Sequence, residues 1–221
     1  MQQLLCNKCC LVLVVVVAAL SQTALHADVI TNGSFEDGLS NWNANTSGNG
    51  NGYAGTTTNW NSLAPTDGDA FASLYALACT ELPGYGPHEE ECNLSQTFFV
   101  DADSMLTFDA FSSISMVGMG AGYGYAEALL DGNDIGYVTG SGWNSFSQSV
   151  STGSHTLTFV LHVMAAGGGG GGEGGGVGGA TQVYGNMGID NVQIPEPCTL
   201  ALLAIGAVGL LVCHARRRRA T

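Results

Sequence analysis

The chain reads as an all-β protein built around a β-sandwich. Three observations lead there. Apolar and polar residues alternate with period two in several runs, the pattern of half-buried strands. The runs are short and separated by Gly, Asn, Asp and Ser, which favour turns. Helix signals are scarce between residues 28 and 194, where Gly, Thr, Ser, Asn and aromatic residues dominate.

In chain order, the first strand is expected at 29–31, the next at 71–77 and a third at 94–100. The clearest alternation follows. Leu106, Phe108 and Ala110 share one face, with Thr107 and Asp109 on the other. Strands are then expected at 123–130 and 135–139, joined by a tight hairpin at Asp131-Gly132-Asn133. A strand at 146–150 precedes a second clear alternation, in which Leu157, Phe159, Leu161 and Val163 oppose Thr156, Thr158 and His162. The segment 167–179 is glycine apart from Glu173 and Val177. It offers no apolar face to a core and reads as a flexible loop before the last strand, within 183–194.

Charge and cysteine usage bound the chemistry. The chain has five Lys and Arg: Lys8, Arg216, Arg217, Arg218 and Arg219. Residues 28–194 therefore hold no Lys or Arg but all of the 18 acidic residues except Glu196. No basic patch exists there to meet nucleic acid, phosphate or anionic lipid. Clustered carboxylates need another cation, and a divalent metal is one answer. Self-repulsion that keeps molecules soluble is the other. Only Cys79 and Cys92 lie within 28–194. In an exported protein this pair is expected to close a disulfide loop, stabilising the fold by roughly 3 kcal/mol.

Both ends carry targeting features. Residues 1–27 combine Lys8, an apolar stretch at 11–20 and Leu25-His26-Ala27, the layout of a signal peptide cleaved before Asp28. Cys6, Cys9 and Cys10 fall inside it. Residues 195–221 open with Pro195, Glu196 and Pro197, continue through an apolar segment at 199–213, and end in the four arginines. A basic cluster stays on the cytoplasmic side while the apolar segment enters the bilayer, and the prolines keep the motif extended outside it. This tail resembles the PEP-CTERM sorting signal of Gram-negative bacteria. The resemblance implies a transmembrane sorting helix, recognition by an exosortase at the inner membrane, and delivery to the cell surface or extracellular matrix.

A second resemblance covers most of 28–194. The opening Val29-Ile30-Thr31-Asn32-Gly33-Ser34-Phe35-Glu36-Asp37-Gly38, followed by Leu39-Ser40-Asn41-Trp42, the stretch Asp67-Gly68-Asp69-Ala70-Phe71, and the closing Gly188-Ile189-Asp190-Asn191-Val192 are similar to jelly-roll domains of carbohydrate-binding modules and their galactose-binding-like relatives. The resemblance implies a jelly-roll β-sandwich with adjacent first and last strands. It also implies a structural Ca2+ held by Glu36, Asp67, Asp69 and Asp190. Glycans stack on exposed rings, so Trp60, Trp143, Tyr123 and Tyr125 are the candidate sugar-binding residues, while Trp42 is expected in the core. No catalytic set is visible: His88, His155 and His162 are scattered, and neither a Gly-x-Ser-x-Gly nor a His-Glu-x-x-His motif occurs. The expected protein is a non-enzymatic matrix or surface component that binds polysaccharide. A purely structural component and a small polysaccharide hydrolase are the alternatives.

Overall fold

A computed structural model describes residues 30–48, 51–80, 88–118, 120–166 and 180–194. The leader, the sorting tail and the glycine segment 167–179 lie outside the described residues. The described residues form ten strands: β1 (Asn43–Gly48), β2 (Gly52–Thr57), β3 (Phe71–Thr80), β4 (His88–Val100), β5 (Ser104–Gly118), β6 (Ala121–Leu130), β7 (Asn133–Tyr137), β8 (Asn144–Val150), β9 (Gly153–Ala166) and β10 (Thr181–Gln193). They form two five-stranded antiparallel sheets, ordered β1-β4-β9-β6-β7 and β2-β3-β10-β5-β8. The chain passes repeatedly between the sheets, as a jelly-roll β-sandwich requires.

The alternation legible in the sequence sets which faces meet. Leu157, Phe159, Leu161 and Val163 of β9 are fully buried, as are Leu106 and Ala110 of β5. Phe108 stacks on Phe146 at 4.9 Å and meets Phe159 edge-on at 5.1 Å. From β3, Leu74 and Ala76 complete this layer, and Met187 and Ile189 enter it from β10. Trp42 is buried beside Phe35, with ring centroids 5.1 Å apart. The hairpin at Asp131-Gly132 pairs Leu130 with Asn133. Both central residues have positive φ, 53° and 77°, so the turn twists with its strands as a type I′ turn does.

Of the strand expected at 29–31, Val29 lies outside the described residues, and from Ile30 onward the opening segment forms turns and bends rather than a strand. Asn32 and Phe35 adopt φ of 54° and 57°, which an extended strand excludes. The buried Gln96 side chain takes the place of a neighbouring strand. Its Oε1 accepts from Thr31 N at 2.8 Å, and its Nε2 donates to Thr31 O and Asn41 O. The two ends of the domain still meet, because Val192 N donates to Gly33 O at 3.0 Å. A Cβ on Gly33 would lie 1.8 Å from Val192 O, so this approach needs glycine. Two edge strands, β1 and β2, were not expected. Their sequences, NANTSG and GYAGTT, carry no apolar alternation.

The disulfide is not formed. Cys79 lies on the outward-facing row of β3 with Phe71, Ser73 and Tyr75. Cys92 points from β4 into the core, fully buried, and both thiols are free. The two side chains thus face different compartments, which no rotamer change can join. Burial, more than the nearby Glu90 and Glu91, pushes the Cys92 thiol up to about 11.

Candidate functional site

The two outer faces of the sandwich are treated differently. On the β3-β10-β5 sheet, Phe71 and Phe111 point outward yet are almost fully buried. Trp60 stacks on Phe111 at 4.9 Å. Trp143 meets Phe71 and Phe111 edge-on at 5.2 and 4.7 Å, and its Nε1 donates to Ala64 O at 2.8 Å. Phe111 lies over Gly188, where a Cβ would sit 2.1 Å from the ring. Trp60 and Trp143 therefore pack as a plug that seals an outer aromatic layer, and both are half-buried.

The segment that carries Trp60 is pinned by carboxylates. Fully buried Asp190 accepts from Thr66 N (2.6 Å), Thr66 Oγ1 (3.1 Å) and Asp67 N (2.9 Å) through one oxygen, and from Asn191 N (2.8 Å) through the other. Burial pushes this carboxyl above its ordinary range, opposed by the backbone N–H groups of Asp67, Asn191 and Thr66. Glu36 Oε1 accepts from Asp69 N and Ala70 N at 2.8 and 2.9 Å. Of the expected Ca2+ set of Glu36, Asp67, Asp69 and Asp190, Glu36 Oε1 and both Asp190 oxygens accept from the backbone, and among the described residues no three Asp, Glu, His or Cys side chains gather as a metal site. In a domain without Lys or Arg, backbone N–H groups supply the positive ends of these dipoles.

Among the described residues, the outer face of the β4-β9-β6 sheet has no such cover. Tyr123 and Tyr125 come together here, next to Tyr137 of β7. Registers across the sheet put Glu91 opposite His162, His162 opposite Tyr125, and Glu127 opposite both Val160 and Tyr137. Tyr125 stacks on His162 with centroids 5.0 Å apart, Tyr123 lies 5.8 Å from the same ring, and Tyr137 meets Tyr125 edge-on at 6.5 Å. Tyr123 and Tyr137 are more than half exposed, at 51% and 58%. Asn93 donates to Glu91 Oε1 at 2.7 Å. Burial, then the carboxylates of Asp134 and Glu91, raise the Glu127 carboxyl above its usual range. Burial and then Glu127 and Glu91 raise the Tyr125 hydroxyl.

At the margin of this face, past the end of β7, a cleft of about 390 Å³ opens between β5 and β6. Ser112, Ile114, Gly124, Tyr125, Tyr137 and Gly140 are among its walls, and among the described residues no carboxylate, imidazole or thiol lines it. Sequence reasoning found Tyr123 and Tyr125 but not Tyr137, His162, Glu91 or Glu127 as their neighbours. The period-two pattern already placed His162 on the polar face of its strand. Which residues stand opposite it depends on strand order, for which the sequence carries no signal.

No family model matches this chain, and no curated protein is similar to it. Solved structures with similar folds include a family 61 carbohydrate-binding module in complex with β-1,4-galactotriose, 17% identical with a TM-score of 0.42 over 76% of this chain and 97% of that one. A family 4 carbohydrate-binding module is 12% identical, with a TM-score of 0.34 over 75% and 97%. A family 36 module in complex with calcium and xylotriose is 15% identical, with a TM-score of 0.26 over 66% and 93%.

Proposed function

We propose that this chain is a non-enzymatic, exported glycan-binding protein of the cell surface or extracellular matrix. One observation carries the binding reading: three tyrosines, half-buried to exposed, share an uncovered sheet face with hydrogen-bonding side chains. Pyranose rings present C–H faces that stack on aromatic rings, while carboxylates and amides bond the hydroxyls. The adjoining cleft has room for a sugar-sized ligand. Export rests on the leader at 1–27, and sorting by an exosortase rests on Pro195, Glu196, Pro197 and the basic end.

A glycan array probed with the full chain in neutral detergent tests the binding reading. Tyr125→Ala should weaken binding of any retained glycan by about tenfold or more, the scale of one lost stacking platform. Retention of full affinity in both Tyr125→Ala and Tyr137→Ala would remove this face as the site.

A further inference from the structure

Several carboxylates of this domain hold loops, and others stand on the tyrosine face. Those that hold loops are supplied with donors: Asp190 and Glu36 as above, Asp131 by Thr156 N and His155, Asp103 by Thr152 N, and Asp134 by Gly136 N. Those on the tyrosine face are not. Glu127 accepts no hydrogen bond among the described residues, although burial and two neighbouring carboxylates already strain its charge. Glu89 lies only within 3.9 Å of His162 Nε2, and Glu91 has one neutral donor, Asn93.

A second observation concerns acceptors. The His162 side chain is 10% exposed, wedged between the rings of Tyr125 and Tyr123. Its Nδ1 has no partner among the described residues, and neither has Asn93 Oδ1. Both atoms are buried, so the acceptors this face presents to solvent are the carboxylates of Glu89, Glu91 and Glu127. The face thus offers negative charge and π-faces, and its own donors are the tyrosine hydroxyls, the Asn93 amide and the His162 ring. No Lys or Arg anywhere in 28–194 can complete it.

We infer that the tyrosine face takes a cationic saccharide, a chain of 2-amino-2-deoxy sugars whose amino groups are free. This rests on the glycan-binding reading and names the ligand class. The ammonium groups pair with Glu91 and Glu127 through charge-assisted hydrogen bonds and lie against the tyrosine rings, while the sugar faces stack. N-acetylation removes the charge, and a uronic acid reverses it.

The test compares matched oligomers of glucosamine, N-acetylglucosamine and galacturonic acid by calorimetry, using the full chain in neutral detergent near physiological salt. The glucosamine oligomer should bind about tenfold more tightly than its N-acetylated counterpart, and the galacturonic oligomer should not bind. Glu91→Gln and Glu127→Gln keep the side-chain shape, and each should cut the ratio of glucosamine to N-acetylglucosamine affinity by about threefold. Equal affinity for the two amino sugars would overturn the inference and leave the glycan reading standing. Binding of no oligomer at all would count against both. A lysine oligomer of equal charge bound as tightly as glucosamine would reduce the effect to bulk electrostatics and overturn the inference.

Discussion

Replacing Trp143 by Ala separates a structural ring from a ligand platform. An enclosed aromatic side chain buries roughly 150–250 Å². Trp143 is half-buried, so about 100 Å² leaves water on folding, giving roughly 2.5 kcal/mol at ~25 cal/mol per Å². Its edge contacts with Phe71 and Phe111 add roughly 1 kcal/mol, and the hydrogen bond to Ala64 O adds about 0.5. Partial collapse of Trp60 and the 58–70 segment into the gap offsets some of this, which leaves a loss of about 3 kcal/mol. For a domain of this size that lowers Tm by roughly 6–12 °C. Thermal unfolding followed by near-ultraviolet circular dichroism measures it, alongside glycan affinity below the variant's transition. The expected result is a large drop in Tm with glycan affinity unchanged. The reasoning fails if Trp143→Ala leaves Tm in place while abolishing glycan binding, since the ring would then serve the ligand.

Other perturbations probe the remaining features. Asp190→Ala orphans the N–H groups of Thr66, Asp67 and Asn191 and should cost about 2–3 kcal/mol in urea unfolding. Unfolding in added Ca2+ and in chelator tests the expected metal site: a Ca2+-dependent rise of the wild-type midpoint that this substitution abolishes would support it, and equal midpoints would dismiss it. His155 and Asp131 form a 2.7 Å pair that raises the imidazole above its usual 6.5 and lowers the carboxyl below its usual 3.8. The stability it contributes is present between those values, lost as pH rises through the raised His155 pKa, and lost as pH falls through the depressed Asp131 pKa. His155→Gln should therefore narrow the gap from wild type between about pH 5.5 and about pH 8.5, and an unchanged gap would argue against the pairing. Alkylation of the native protein should modify Cys79 before the buried Cys92, and both should react in denaturant without reductant; protection of both in denaturant would reinstate the disulfide. Protein recovered from the cell surface should lack residues 1–27 and the four terminal arginines by intact mass, and a main species retaining those arginines would count against sorting.

Period-two alternation located the strands with a buried face, because burial of one face forces that pattern. Leu157 to Val163 and Leu106 to Ala110 point inward as their spacing requires. β1 and β2 escaped for the converse reason. Edge strands held by pairing to β4 and β3 need no apolar row, and β1 is exposed along its whole length. The opening segment misled because a buried glutamine can imitate a neighbouring strand, a long-range contact without local trace. The cysteine spacing suggested a bridge, but side-chain direction decides bridging, and a residue's parity within its strand depends on where the strand begins. The tryptophans posed a related problem. Their polar loops look open in sequence, yet those loops fold back over Phe71 and Phe111, so a large ring in a Gly- and Ser-rich segment served as a lid.

The absence of Lys and Arg links these features. A folded domain with no internal cation must satisfy each structural carboxylate with backbone N–H groups, small polar side chains or histidine. Asp190, Glu36, Asp103 and Asp131 are all met in this way, at loops where free N–H groups converge. Regular strands leave no N–H groups free on a sheet face, because the ladder consumes them. Glu89, Glu91 and Glu127 project from such a face, so the backbone cannot neutralise them. Their charge is conserved for whatever approaches from solvent. The opposite sheet covers its outer face at Phe71 and Phe111 with Trp60, Trp143 and a pinned loop, which costs that part of the face its access. The fold thus divides the work: one outer surface stabilises the sandwich, and the other presents tyrosines and unmet acceptors to a ligand that brings donors.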